Sequence, residues 1–218
     1  MTADVVFGPG KQRLQLAGRI GKGGEGEVYA VADQPALAVK IYTTPDVASR
    51  MGKIAAMIEG GLSRQTSLVA FPLEIVTDRS GRFLGFTMNR VSEHKPLHEL
   101  YAPGARKSEF PNADYRFLVR AAANVARAVA AVHQAGCVIG DINHSGILVS
   151  DSATVALIDA DSFQVVSGTN KFLCRVGVPE YTPPELLRWR RKFGQLAKVG
   201  STSMKDGLYD WEAEAVHG

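Results

Sequence analysis

The sequence predicts an α+β fold of two units, a strand-rich N-terminal unit and a mainly helical second unit. Short β-branched runs separated by glycine and turn residues fill most of the first 90 positions, which favours a sheet. A long alanine-rich amphipathic segment over 115–135 favours a core helix. With 218 residues and 45% hydrophobic composition, the chain can bury one substantial core or two small ones.

The first unit is predicted to contain five strands and one helix. Residues 14–41 hold three aliphatic runs broken by a glycine cluster and by a turn with proline, so they predict three strands. Residues 46–58 carry apolar side chains at helical spacing and end at two glycines, which predicts one helix. Two further strands, at 71–76 and 83–88, are joined by a turn and predict a hairpin.

The second unit is predicted around the long helix, followed by short strands at 147–149 and 155–158. The apolar face of that helix is predicted to consist of Leu118, Ala122, Val125, Val129 and Val132. We place the first unit at 1–91, the second at 92–187 and a basic, polar tail at 188–218.

A glycine-rich turn between the first two predicted strands indicates phosphate binding. The segment GKGGEGEV fits the pattern GxGxxGxV, in which the backbone can approach a phosphate closely and Val28 covers a base. A dinucleotide-binding turn would open a helix, whereas a strand follows here; a plain hairpin remains the other interpretation. The candidate phosphate-binding glycines are Gly21, Gly23, Gly24 and Gly26.

A lysine and two carboxylates follow in segments that suit chemistry on phosphates. Lys40 lies in the apolar run AVKI, where a buried amine needs an anion; the alternative is an edge-strand cation that reaches solvent. Asp141 lies in a loop after the long helix, and Asp159 lies at the end of a short strand. A base on a loop and a metal ligand at a strand end are what phosphoryl transfer requires.

In this order the segments resemble the eukaryotic-type Ser/Thr protein kinases of bacteria. The stretches GDIN at 140–143 and DADSF at 159–163 are similar to the divergent branch with GDxN and DxDSF in place of HRDxKxxN and DFG. The stretch GVPEYTPPE at 177–185 resembles the end of a kinase activation segment. The resemblance covers roughly residues 12–187. It implies a two-lobe kinase fold with a five-stranded N-lobe and a mainly helical C-lobe.

The resemblance also implies roles for single residues. Asp141 would orient the hydroxyl acceptor, Asp159 would bind Mg²⁺ that bridges the phosphates of ATP, and Lys40 would hold the α- and β-phosphates. Adenine would lie among the matching hydrophobic and hinge positions, which are Val28, Ala38, Met88, Asn89, Val91 and Leu148.

Several positions depart from the family pattern. Gly140 replaces the arginine that pairs with a phosphorylated activation loop, so autophosphorylation is not expected to be the switch. Asn143 replaces a catalytic-loop lysine, and Gly146 replaces an asparagine that completes the magnesium site. Asn143 or Asp161 could supply the missing oxygen; the alternative for Asp161 is a local turn or helix cap.

Other departures affect the helix, the acceptor loop and the tail. The helix glutamate that pairs with the strand lysine is not evident, because Lys53 occupies its register and Glu59 lies at the helix end. Val178 replaces a threonine that ties the acceptor loop to the catalytic aspartate. After Glu185, residues 186–218 lack the apolar helices of a complete large lobe, so we expect an incomplete C-lobe and a truncated chain.

Three functions follow as hypotheses: transfer of the ATP γ-phosphate to protein Ser/Thr hydroxyls, a pseudokinase that binds nucleotide and regulates a partner, or an inactive fragment of a longer kinase. The near-even charge of 25 basic and 22 acidic residues gives no reason to expect a nucleic-acid partner. We interpret the basic tail as a solvated face. The two cysteines are widely separated and no segment could span a bilayer, so the cytoplasm is expected.

Overall fold

The computed structural model describes residues 5–174 together with Tyr181 and Pro184. Its N-terminal unit is a closed antiparallel barrel with the strand order β1-β2-β3-β4-β6-β5. These strands are β1 (Val5–Phe7), β2 (Arg13–Lys22), β3 (Gly26–Val31), β4 (Gln34–Tyr42), β5 (Pro72–Thr77) and β6 (Phe83–Asn89).

The five predicted strands are confirmed as β2 to β6, and β1 is an addition that the sequence analysis did not foresee. This three-residue strand pairs with β2 along its length and with β5 only through Phe7 and Thr77, and so closes the barrel. Closure leaves no long free edge that could pair with another chain.

The predicted helix is confirmed as α1 (Ala48–Glu59), and the one-turn helix α2 (Leu62–Gln65) follows it. Helix α1 buries Ile54 and Met57 in the main core. Gly61 has φ +63°, in the left-handed region, which lets the chain turn sharply between the two helices.

Two glycines are required because neighbouring strands of the barrel approach each other closely at these positions. A Cβ at Gly26 would overlap the carbonyl oxygen of Ile41, and a Cβ at Gly85 would overlap the carbonyl oxygen of Lys40. Both sites flank the part of β4 that carries Lys40, so these glycines allow the neighbouring strands to pack tightly around it.

The second unit combines helices with two small sheets, ordered β10-β9-β7 and β12-β11-β8. Its helices are α3 (Leu97–Tyr101), α4 (Pro103–Glu109) and α5 (Tyr115–Gln134). Its strands are β7 (His94–Pro96), β8 (Cys137–Val138), β9 (Ile147–Ser150), β10 (Val155–Leu157), β11 (Gln164–Ser167) and β12 (Asn170–Phe172). The α+β fold with a strand-rich first unit is therefore confirmed.

Helix α5 is capped at its N-terminal end by Asp114, whose carboxylate accepts a hydrogen bond of 2.7 Å from the Phe117 amide. Its buried residues are Ala121, Ala128 and Val132. The predicted inclusion of Ala122 in the core face is wrong, because this residue is exposed. Alanines occur all round the helix, so periodicity alone could not choose between neighbouring positions.

The two units share one hydrophobic core and are joined by backbone hydrogen bonds. The Leu157 amide donates to the Leu68 carbonyl at 2.8 Å, and the Ala70 amide donates to the Leu157 carbonyl at 2.9 Å. Next to this junction, the rings of Phe71 and Phe163 meet edge to face with centroids 6.0 Å apart. The junction therefore fixes the segment around Asp159 against the N-terminal unit.

The predicted activation segment at 177–185 lies outside the described residues except for Tyr181 and Pro184, and the tail at 188–218 lies wholly outside them. In the part of the chain that the structure describes, no helix combines the length and the apolar character needed to cross a membrane.

Candidate active site

A cavity of about 470 Å³ lies beneath the loop between β2 and β3. It brings together most of the residues predicted to act on phosphate groups. Its lining contains Gly21, Gly23, Gly24, Gly26, Val28, Lys40, Asp141, Ser145, Ile158, Asp159 and Ser162. Residues that are more than a hundred positions apart in sequence therefore face the same space.

The four glycines of the loop do not have the same role. A Cβ at Gly24 would meet no atom within 4 Å, and one at Gly23 would meet only the Gly26 carbonyl, at 3.9 Å. The space above these two positions is open to a ligand, as phosphate binding requires. Gly26, by contrast, is needed for the approach of β4, which is a structural reason that the sequence pattern did not reveal.

Lys40 is buried and lies between two carboxylates. Its Nζ donates to Asp161 Oδ1 at 2.7 Å and to Asp159 Oδ1 at 3.1 Å. The other oxygen of Asp161 accepts the hydroxyl of Tyr42 at 2.8 Å, and only 1% of the Asp161 side chain is exposed. The lysine is therefore not an edge-strand cation that reaches solvent.

The charges in this cluster stabilise one another. Burial alone would lower the pKa of Lys40, but the carboxylates of Asp161 and Asp159 outweigh it and raise that pKa. Burial would raise the pKa of Asp161, but the Lys40 charge and the hydrogen bonds from Lys40 and Tyr42 lower it. Lys40 and Asp161 therefore form a buried, ionised pair. Removal of either partner would leave an uncompensated buried charge.

Asp159 is held in a strained backbone conformation at the mouth of the cavity. Its φ of +58° lies in the left-handed region, which costs a non-glycine residue about 1–3 kcal/mol. The residue precedes a 3-10 turn at Ala160–Ser162, and its side chain is 53% exposed. An exposed carboxylate that faces the cavity suits the predicted role of metal ligand.

Asp141 has a buried oxygen without a hydrogen-bond partner in the part of the chain that the structure describes. A buried carboxylate oxygen that lines a cavity is costly unless a ligand or water satisfies it. The loop that carries it is shaped by Asn143, whose Oδ1 accepts the amides of Ser145 and Gly146, each at 2.9 Å. This oxygen stabilises the turn, which leaves it poorly placed to bind a metal.

The residues predicted to enclose adenine lie outside the lining of this cavity, except for Val28. Ala38 and Met88 are buried and directly opposite each other on β4 and β6. Leu148 is half-buried on β9, and Asn89 is exposed at the end of β6. Val91 packs against the main core. Of the predicted adenine positions, the structure therefore brings only Val28 to the cavity.

Helix α1 contacts the glycine loop through a residue pair that sequence reasoning missed. Arg50 donates to both oxygens of Glu25, at 2.9 and 2.5 Å, and its guanidinium lies 5.1 Å from the centre of the Tyr42 ring. Tyr42 could have been found by strand alternation, because it lies two positions after Lys40 and so on the same face of β4. The Arg50 pair carried no comparable signal.

The helix offers no carboxylate to Lys40. Glu59 is its only acidic residue, and it is exposed at the C-terminal end. Lys53 is partly buried and lines a second cavity, of about 120 Å³, together with Asp161 and Tyr42. The placement of Asp161 between Lys40 and Tyr42 favours a partner of the lysine over a metal ligand.

A resident metal centre made of protein ligands alone is not found in the described residues, where no three His, Cys, Asp or Glu side chains converge. The exposed Asp159 carboxylate fits a Mg²⁺ ion that takes its remaining ligands from nucleotide phosphates and water, which is how Mg²⁺ is commonly bound at phosphate-transfer sites.

Comparison with known proteins identifies the family to which this chain belongs. The family described as "Protein kinase domain" matches residues 14–201. Two proteins named protein kinase YegI, from two strains of Escherichia coli, are 37% identical over 182 residues and 39% identical over 168 residues. These alignments cover 83% and 77% of this chain but only 28% and 26% of the relatives, so the chain spans about a quarter of their length.

Solved structures show the same fold at low sequence identity. A rhoptry kinase from Toxoplasma gondii matches with a TM-score of 0.60 at 16% identity, over 88% of this chain and 58% of its own. ROP2 from Toxoplasma gondii, described as having a protein-kinase fold and no enzymatic activity, matches with a TM-score of 0.57 at 16% identity, over 87% and 61%. At this identity the likeness concerns the fold alone. Together with the family match over most of its length, the cavity and its charged residues place this chain in the protein kinase family.

Proposed function

We propose that the chain binds ATP in the glycine-loop cavity and transfers the γ-phosphate to Ser or Thr hydroxyls of a protein. The proposal is carried by one observation: the glycine loop, Lys40, Asp141 and Asp159 line the same space. Phosphoryl transfer depends mainly on positioning and on neutralising charge, and these groups supply both.

The surroundings of Lys40, Asp141 and Asp159 suit each of them to a different role. Lys40 has three N–H donors and uses two for Asp159 and Asp161, which leaves one for a phosphate oxygen. Asp141 would use its buried Oδ1 to accept the proton of the acceptor hydroxyl and to orient that hydroxyl. A Mg²⁺ ion held at Asp159 would neutralise the phosphate charge.

The open space at Gly23 and Gly24 would let the loop backbone close over the phosphates. Val28, Ala38 and Leu148 would enclose the base, with Met88 before a hinge at 89–91. We infer that the N-lobe ends near residue 91 and that the C-lobe follows over 92–187. We also propose a cytoplasmic location, since two widely separated cysteines give no disulfide framework. A role in signalling is proposed from the resemblance to bacterial protein kinases.

The test is transfer of label from γ-labelled ATP with Mg²⁺ to a generic Ser/Thr acceptor, with ATP binding measured in parallel. Asp141→Asn should keep ATP binding and reduce transfer at least about 100-fold. Asp159→Ala should also lose transfer. Asp151→Asn is the matched control, because its side chain is 79% exposed on the turn between β9 and β10.

If the folded chain binds ATP but transfers no label under any Mg²⁺ concentration, the chain is a nucleotide-binding regulatory module and the proposal fails. Gly146 is the observation that favours this second function, because glycine offers no ligand at a position where the family has asparagine.

A further inference from the structure

The buried lysine of a kinase needs a carboxylate that holds its amine toward the phosphates, and that carboxylate ordinarily comes from the helix after the lysine strand. Here the corresponding helix is α1, which carries Lys53 and whose only acid, Glu59, is exposed at its end. The usual source of the partner is therefore absent from this helix, and Lys40 is nevertheless paired.

We propose that Asp161 is the positioning residue of Lys40, and that it replaces a helix glutamate with a carboxylate on the turn that follows Asp159. This inference rests on the ATP-binding part of the proposed function, because it concerns how Lys40 is directed at the phosphates of ATP.

The contacts of Asp161 make it a rigid partner. One oxygen accepts from Lys40 at 2.7 Å and the other from Tyr42 at 2.8 Å, so the carboxylate has a fixed orientation. Its backbone belongs to the 3-10 turn, closed by hydrogen bonds of 2.9 Å from Ser162 to Asp159 and of 3.0 Å from Phe163 to Ala160.

Asp159 differs from Asp161 in the features that separate a ligand-binding group from a positioning group. Its side chain is 53% exposed, and its contact with Lys40 is longer, at 3.1 Å. The side chain of Asp161 is only 1% exposed. Asp161 would therefore hold Lys40, while the exposed carboxylate of Asp159 would remain available to bind a metal ion.

The charges of helix and turn are reversed relative to the usual arrangement. Lys53 lies on the helix where a glutamate is expected, and Asp161 lies on the turn where the DFG pattern has glycine. Both side chains line the cavity of about 120 Å³, together with Tyr42 and the Arg50–Glu25 pair. A carboxylate moved from Asp161 to position 53 would thus enter the same space.

The test compares ATP with adenosine, which has no phosphates for Lys40 to contact. Affinities for both are measured by calorimetry on the full 218-residue chain, for the wild type, Asp161→Asn, Tyr42→Phe and the exposed control Asp151→Asn. Asp161→Asn should weaken ATP binding about tenfold or more and change adenosine binding less than about twofold. Tyr42→Phe should show the same selectivity with a smaller loss, and the control should match the wild type.

Two results would overturn the positioning role: unchanged ATP affinity in Asp161→Asn, or an equal loss for ATP and adenosine, which indicates general distortion. If Asp161→Asn does not fold, Tyr42→Phe decides by the same comparison. Because binding does not require transfer, a wild type that transfers no label but shows the selective loss would refute the proposed function and leave this role standing.

A charge exchange between positions 53 and 161 tests whether Asp161 replaces a carboxylate of the helix. The double variant Lys53→Glu with Asp161→Asn should recover at least about half of the ATP affinity, on a logarithmic scale, that Asp161→Asn loses. Lys53→Glu alone provides the reference for the cycle. A double variant that binds ATP no better than Asp161→Asn would show that the turn has not replaced a helix partner.

Discussion

Replacing Lys53 by methionine should stabilise the fold at neutral pH. The lysine lies in the small cavity between α1 and the Asp161 turn, next to Arg50. Burial lowers its pKa from 10.5 to about 8, and the interactions with Cys174 and Asp161 offset this only in part. The charged form therefore costs folding free energy that a methionine of similar shape would not.

The structure sets the size and the sign of this effect. A pKa shift of this size corresponds to roughly 3 kcal/mol for a fully buried group. Because Lys53 is only partly buried, solvent reduces the expected gain to about 2 kcal/mol. The folded-state pKa lies below the unfolded value, so the penalty is complete below about pH 8 and disappears as the pH rises toward 10.5.

Urea unfolding of the wild type and Lys53→Met, at about pH 7 and about pH 9.5, measures the effect. The variant should be more stable by about 2 kcal/mol at the lower pH and by clearly less at the higher pH. Lys107→Met, on the exposed surface of α4, is the control and should change the stability by less than about 0.5 kcal/mol at either pH. The same gain at both values, or no gain at neutral pH, would refute the argument.

Four other substitutions test the loop, the metal position and the long helix. Gly26→Ala should destabilise the fold by about 2–3 kcal/mol in urea unfolding, because its Cβ would overlap β4. Gly24→Ala should leave stability unchanged and weaken ATP binding in calorimetry. Equal stability of the two variants would contradict this assignment of the two glycines. Gly146→Asn has room for its Cβ and should lower the Mg²⁺ concentration for half-maximal transfer several-fold; an unchanged Mg²⁺ requirement would count against a metal role for this position. Asp114→Ala should cost about 1 kcal/mol, seen by thermal unfolding, through loss of the helix cap; a stability equal to the wild type would show that the cap is dispensable.

Much of the fold could be predicted from local sequence patterns. Strands β2 to β6 and helices α1 and α5 carry strong periodic or β-branched signals and end at glycines or turns, so their positions followed from the sequence within a few residues. Strand β1 is only three residues long, and its pairing depends on distant partners that its own composition does not reveal.

The candidate site was predictable as far as residues carry recognisable motifs. The glycine loop, Lys40, Asp141 and Asp159 were found by pattern, and the structure brings them to one cavity. Pattern could not assign Asp161, because its contact with Lys40 joins positions 121 residues apart and depends on how the turn packs against β4. For the same reason the sequence pattern assigned Gly26 only to phosphate binding, although the close approach of β4 also requires this glycine.

The source of the lysine partner has a consequence for control of the site. Where a helix supplies the carboxylate, displacement of the helix separates the lysine from its partner and switches the kinase off. Here Asp161 belongs to the turn that carries Asp159, so the lysine and the proposed metal ligand are positioned by the same few residues. Helix α1 instead contacts the glycine loop through Arg50 and Glu25. Movement of α1 would therefore alter how the loop covers the proposed phosphate site without directly removing a hydrogen-bond partner from Lys40 or Asp161.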